Sequence, residues 1–211
     1  LYEGTVGTSA FDGCISLTTL DLGRTVETVG SWAFRDTAIA SFDGNRLTSL
    51  GEGAFSGCAS LRTVGFTQDT PLTFLASGTF KDCASLSEIV IPAAVEELGT
   101  DVFCGCTSLK RAAFSNGSKV AALTSGLFGD CTSLSSLTLP SALSVIYDKV
   151  FENCRELRQF RFPSAVYYIG SEAFKGCRSL EEATLSSSLN YLGDGAFEGC
   201  TSLASIALPS S

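Results

Sequence analysis

Phenylalanine recurs at positions 11, 34, 55, 80, 103, 128, 151, 174 and 197 of this 211-residue chain, at intervals of 21 to 25 residues. A repeat of that length constrains the fold more than any other feature. One unit cannot bury its own apolar side, whereas stacked units share a continuous core. The chain reads as a single solenoid domain over residues 1–211, built of nine repeats of about 23 residues.

A clean copy runs Ala173-Phe174-Lys175-Gly176-Cys177-Arg178-Ser179-Leu180, then Glu181-Glu182-Ala183-Thr184-Leu185, then Leu189-Asn190-Tyr191-Leu192-Gly193. Phe, Cys and Leu at i, i+3 and i+6 predict a short helical turn. The alternating pair Ala183 and Leu185 predicts a short strand with both side chains inward. Pro92, Pro140, Pro163 and Pro209 follow such strands and stop them. The third segment predicts an irregular extended stretch ending at a glycine turn. Stacking converts each position into a column, and the strands into one parallel sheet of nine. The helical turns need more width than the strands, so the solenoid curves with its sheet concave.

Composition narrows the chemistry. The chain is 45% hydrophobic, which excludes bulk disorder, and carries a net charge of −8. That charge makes nucleic acid and anionic membranes poor partners. No stretch approaches the ~20 apolar residues of a membrane span. Histidine is absent, which removes every mechanism built on imidazole. No paired carboxylates, phosphate-cradling loop or metal-ligand spacing is found, so no catalytic residue, cofactor or metal is expected.

Of nine cysteines, eight keep the repeat spacing: Cys14, Cys58, Cys83, Cys106, Cys131, Cys154, Cys177 and Cys200. Stacked side chains point in parallel, whereas a disulfide needs its two Cβ atoms facing. These residues are expected as free, buried thiols acting as small hydrophobes. Cys104 lies off this ladder and lacks a basic neighbour in sequence to stabilise a thiolate.

The Ala-Phe-x-x-Cys motif, the Leu-x-x-φ-x-φ-Pro motif (φ apolar) and the 23-residue period resemble the BspA-like, or Treponema pallidum-type, leucine-rich repeats. The resemblance covers essentially the whole chain. It implies an α/β leucine-rich repeat fold: a right-handed curved solenoid with a parallel concave β-sheet and short helical turns on the convex side. It also implies a non-enzymatic protein-interaction module, at the cell surface, in the periplasm or secreted. The implied role is adhesion to a protein partner such as a host or matrix component. A structural spacer or self-associating surface element is the alternative.

Three surfaces are candidates for contact. Between the two inward residues of each strand lies an outward column: Asp21, Asp43, Gly65, Val90, Ala113, Thr138, Arg161, Thr184 and Ala207. Its middle, from Val90 through Ala113 and Thr138 to Arg161, is a smooth strip that could receive a partner or stand idle. Val145, Tyr168 and Tyr191 form a second column one repeat apart, with Tyr167 beside it and Tyr147 in place of the usual glycine. This stripe is either a contact site or a cover over the core. The third is the rim formed by two insertions, Thr67–Pro71 with Gln68 and Asp69, and Ser115–Lys119 with Lys119.

Other irregularities complete the reading. In the second copy Thr37 replaces the ladder cysteine and Gly44 replaces a strand apolar residue, which predicts a thinner rung. Residues 1–105 hold 5 basic and 13 acidic side chains, and residues 106–211 hold 9 of each. Arg155, Arg158, Arg161 and Arg178 cluster in the neutral half, to steer an acidic partner or to be balanced by Glu152, Glu156, Glu181 and Glu182. Neither end shows a polar capping unit, so self-association through uncapped ends, or a longer parent chain, is expected.

Overall fold

The computed structural model describes residues 4–23 and 25–208; Pro209 lies outside them. The chain winds as a parallel β-solenoid of about eight turns. Most turns contribute two short strands rather than one, although the first coil forms none at Leu20–Leu22. The first ladder consists of β3 (Ser41–Phe42), β5 (Thr63–Val64), β7 (Glu88–Ile91), β9 (Arg111–Phe114), β11 (Ser136–Thr138), β13 (Gln159–Arg161) and β15 (Glu182–Thr184). The second consists of β1 (Thr5–Val6), β2 (Thr28–Val29), β4 (Ser49–Leu50), β6 (Phe74–Leu75), β8 (Glu97–Leu98), β10 (Ala122–Leu123), β12 (Val145–Ile146), β14 (Tyr168–Ile169) and β16 (Tyr191–Leu192). The segment expected to be irregular is therefore itself a sheet.

Neither ladder is continuous. The first divides into β3-β5, β7-β9-β11 and β13-β15, and Ser205 adds only an isolated bridge to Glu182. One sheet of nine strands is thus replaced by shorter sheets. The second divides into β1-β2-β4, β6-β8 and β10-β12-β14-β16. Its two breaks fall where the chain between successive strands contains an insertion, 67–71 between β4 and β6, and 115–119 between β8 and β10. Extra residues change the path into the strand, and pairing is lost there.

The expected helical turns are absent: no helix occurs among the described residues. Each Phe-containing turn is bracketed by two left-handed residues four apart, such as Gly53 (φ 57°) and Gly57 (φ 73°), or Lys149 (φ 59°) and Asn153 (φ 59°). A right-handed helix cannot run through that conformation. The amides instead alternate between two partners. Ser56 and Cys58 donate within the turn to Gly53 and Phe55 carbonyls. Gly53, Phe55 and Gly57 donate to the next coil, at Ser77, Thr79 and Lys81, over 2.8–2.9 Å. Equivalent triplets join every successive pair of Phe turns, so backbone groups buried by stacking stay satisfied.

The core follows the columns. Phe11, Phe34, Phe55, Phe80, Phe103, Phe128, Phe151, Phe174 and Phe197 form one file, with centroids 5.1–5.8 Å apart and planes within 27°. The seven inner rings are fully buried. Beside them the ladder thiols act as donors. Cys58, Cys83, Cys106, Cys131, Cys154, Cys177 and Cys200 each direct Sγ at the Phe carbonyl of the preceding turn, at 3.0–3.3 Å. All nine cysteines are free. Cys14 departs from the expectation: it is exposed, because no described coil stacks on its outer side.

In the second copy neighbouring groups fill the places of the two replaced side chains. Thr37 is buried in the ladder column and meets Cys58 Sγ at 3.3 Å, but its hydroxyl donates at 2.8 Å to the Phe34 carbonyl of its own turn rather than to that of the preceding one. Gly44 leaves room that Phe66 fills from the next coil: a Cβ on Gly44 would lie 2.7 Å from the Phe66 ring and 3.0 Å from Phe42. Deletion in one coil is offset by a larger side chain in the next.

Glycine is required after several second-ladder strands because two backbones pass closely. A Cβ on Gly99 would lie 2.2 Å from the Ser77 nitrogen. Gly117, on the insertion tip, has nothing within 4 Å. Gly99→Ala is expected to destabilise by about 1–3 kcal/mol as overpacking against rigid backbone. Gly117→Ala is expected to cost less, about 1 kcal/mol, the low end of the left-handed penalty for a residue with a Cβ. Urea denaturation of both variants checks the order, and equal losses would contradict the close approach.

Candidate functional site

The tyrosine column is built by the second ladder. Parallel pairing places Val145 beside Tyr168 and Tyr168 beside Tyr191. Inward neighbours Ile146 and Ile169 are buried, so alternation turns the column outward. The Tyr168 and Tyr191 rings stack with centroids 4.7 Å apart and planes at 11°, and Tyr147 tilts against Tyr168 at 6.0 Å. Tyr147, Tyr167 and Tyr191 are 44–49% exposed, and Leu192 beside them is 38% exposed. Partial burial pushes the Tyr168 hydroxyl pKa up, and nearby Asp148, Tyr191 and Tyr147 add to the shift. Sequence reasoning brought these tyrosines together correctly and missed Leu192. It also missed Phe74 in β6, which precedes Glu97 in the same outward column and is 43% exposed. Its place one residue before the inward Leu75 was the available signal.

The first ladder presents the other predicted column. Val90, Ala113 and Thr138 lie side by side across β7, β9 and β11, and Arg161 pairs with Thr184 across β13 and β15. Val90, Thr138, Arg161 and Thr184 are exposed and Ala113 is half-buried. Four-residue strands such as Glu88–Ile91 add a second outward column, which contains the Glu88–Arg111 ion pair and Gln159 beside Glu182. The break between β11 and β13 opens a crevice of about 580 Å³ floored by Leu137, Leu139 and Phe160, with Arg161 at its side. A second crevice of about 400 Å³ lies between Arg161, Phe162, Ser164 and Ser186.

The insertions flank one coil. The Gln68 carbonyl accepts from the Ala93 amide, the Ser115 amide donates to the Ile91 carbonyl, and Lys119 Nζ meets Glu96 Oε1 at 2.7 Å. Gln68, Asp69 and Lys119 are exposed. The structure thus holds the rim residues around the coil at 91–96, away from the tyrosines. Among the described residues, Arg155, Arg158, Arg161 and Arg178 make no ion pair within 4 Å, including with the four nearby glutamates.

Chemistry elsewhere is muted. Burial pushes the half-buried Cys104 thiol up to about 11, with Asp101 adding to the shift and Lys81 opposing it. A thiol held protonated is a poor nucleophile. Among the described residues no group of three His, Cys, Asp or Glu side chains could hold a metal ion. Among the same residues no helix is long and apolar enough to cross a membrane.

Stacked parallel coils with aligned exposed columns define a repeat scaffold whose faces are assembled from several turns. A family model described as a BspA type leucine rich repeat region (6 copies) matches residues 4–110 and 112–211. The chain belongs to the BspA-type leucine-rich repeat family, whose members are generally protein-interaction modules. No curated protein matches it. Solved structures share the fold. A leucine-rich repeat protein of T. pallidum is 24% identical, with a TM-score of 0.54, over 95% of this chain and 78% of that one. One from Eubacterium ventriosum is 18% identical, with a TM-score of 0.60, over 93% and 76%. A leucine rich cell surface protein of Faecalibacterium prausnitzii is 24% identical, with a TM-score of 0.51, over 98% and 70%.

Proposed function

We propose that this protein is a non-enzymatic binding module, displayed at a cell surface or secreted, that captures a protein partner through the tyrosine face. The observation that carries the reading is the aromatic group in which exposed Tyr191 stacks on half-buried Tyr168 and exposed Tyr147 tilts against it, with Tyr167 and Leu192 beside it. Aromatic side chains with an apolar body and a polar hydroxyl dominate the energy of protein interfaces. Rings held on strands lose little freedom on binding. A host or extracellular-matrix protein is the partner class this reading favours. The description of the F. prausnitzii protein as a cell surface protein supports the location.

The test is surface plasmon resonance of the protein over a panel of immobilised extracellular-matrix proteins. Saturable binding is expected to at least one. Replacing Tyr168 and Tyr191 together by Ser is expected to weaken it at least ~10-fold, in line with loss of two hot-spot aromatics, with the melting temperature nearly unchanged. Undiminished binding would move the site to the first-ladder column or the insertion rim. Absence of saturable binding to any member would favour a spacer or self-associating element.

A further inference from the structure

On the side of the Phe-containing turns, remote from the tyrosines, lies a crevice that the interaction reading does not use. Its origin is one column of left-handed residues. From coil to coil this column reads Ser9, Trp32, Gly53, Gly78, Asp101, Gly126, Lys149, Glu172 and Gly195. Only at Gly53 and Gly78 do two glycines follow one another: the Trp32 indole takes the space at Gly53, and that at Gly78 stays open in a crevice of about 270 Å³. Trp32 closes one end and the Lys81–Asp101 ion pair, at 3.2 Å, closes the other.

Trp32 is an unusual occupant. It is the chain's sole tryptophan, it is 38% exposed, and its φ of 54° is a conformation that bulky residues rarely adopt. Its indole leans over Gly53, where a Cβ would lie 2.6 Å from Cδ1 and 2.9 Å from Nε1. The aromatic wall therefore exists only because Gly53 lacks a side chain. Around it stand Arg35, Glu52, Ser56 and Ser77. Arg35 is fixed by two hydrogen bonds to Asp12, at 2.7 and 2.8 Å. Among the described residues, neither the Glu52 carboxylate nor the Ser56 hydroxyl has a side-chain hydrogen-bond partner, so both are free to bond a ligand. The four ionised groups, Arg35, Lys81, Glu52 and Asp101, sum to zero charge.

An aromatic wall, a floor of bare backbone and a ring of charge-balanced donors and acceptors suit a small neutral molecule with one apolar face and many hydroxyls. The volume is below the ~300–1,000 Å³ of drug-sized sites and matches a single ring. We propose that this crevice binds one neutral hexopyranose, free or at the end of a glycan. The C–H face of the sugar packs on the Trp32 indole. Its hydroxyls bond Glu52, Ser56 and the Lys81–Asp101 pair.

Because Trp32 is the sole tryptophan, its fluorescence reports the site directly. The full chain is titrated with the methyl glycosides of glucose, galactose and mannose and with N-acetylglucosamine. Concentrations extend to about 100 mM, above the millimolar Kd expected of so small a contact. A saturable change in emission is expected with at least one of them. Gly78→Lys fills the gap with a residue type that Lys149 already carries at the same conformation, and leaves Trp32 in place. It is expected to weaken binding at least ~10-fold, in line with loss of the site's floor, with a melting temperature lowered only modestly, by the left-handed conformation of position 78. An oligosaccharide ending in the same sugar is then compared: equal or tighter binding marks a glycan end as the source, and weaker binding marks the free sugar. No saturable change with any of the four sugars, or an unchanged Kd in Gly78→Lys, would overturn the proposal.

Discussion

Raising the pH above 9 is expected to unfold this protein steeply, with about 7 kcal/mol of stability lost per pH unit. The thiol ladder is the cause. Burial raises the pKa of Cys83, Cys106, Cys131, Cys154 and Cys177 far above the ordinary thiol value. In the unfolded chain the same thiols ionise near ~8.5. Each raised pKa therefore contributes stability that is complete below the unfolded value and is lost as the pH climbs toward the folded one. Between those limits only the unfolded chain releases protons, so stability falls by about 1.4 kcal/mol per unit per thiol. Over one pH unit five such groups remove about 7 kcal/mol, comparable to the ~5–15 kcal/mol that holds a domain folded. Urea denaturation under reducing conditions from pH 7.5 to 10.5 measures the slope. Cys131→Ala should reduce it by about 1.4 kcal/mol per unit. A slope near zero, or one insensitive to that substitution, would show that the thiols ionise in the folded state.

Phe128→Ala is expected to cost about 3–5 kcal/mol, the range for a fully buried aromatic. Phe128 stacks on Phe103 at 5.5 Å and on Phe151 at 5.8 Å, so its removal opens a cavity walled by two rings that stacked backbone holds in place. Phe11 has one stacking neighbour and is 41% exposed. Phe11→Ala should cost less than half as much, since part of that side chain already meets water. Chemical denaturation of the two variants decides the matter. Equal losses would mean that the rings do not form one file whose interior outweighs its end.

The Phe file and the cysteine ladder were legible because their spacing recurs unchanged, and a repeated position in a solenoid is a column by necessity. The outward turn of Val145, Tyr168 and Tyr191 was legible for the same reason. The Phe-x-x-Cys spacing was misread as helical, because apolar residues three apart also fit a turn bounded by left-handed residues. The correcting signal is the residue before each ladder position: Gly13, Asp36, Gly57, Asp82, Gly105, Asp130, Asn153, Gly176 and Gly199. Gly, Asp and Asn are the residues that tolerate positive φ, and all nine adopt it. The second ladder was hidden because two-residue strands show no alternation. The crevices beside Arg161 and below Trp32 could not be read from one copy. They arise where adjacent coils differ, from a sheet break in one case and from paired glycines in the other.

All coils share one interior of stacked rings and thiols, and the rate of cysteine alkylation in the native protein reads out that burial residue by residue. With iodoacetamide at neutral pH, Cys14 should react at the rate of an exposed thiol. Cys104 and Cys200 should lag, since burial pushes both pKa values up to about 11. Cys58, Cys83, Cys106, Cys131, Cys154 and Cys177 should resist until the protein unfolds, and then become reactive together. Fast labelling of any of those six in the folded protein, read by peptide mass spectrometry, would contradict the stacked-coil account.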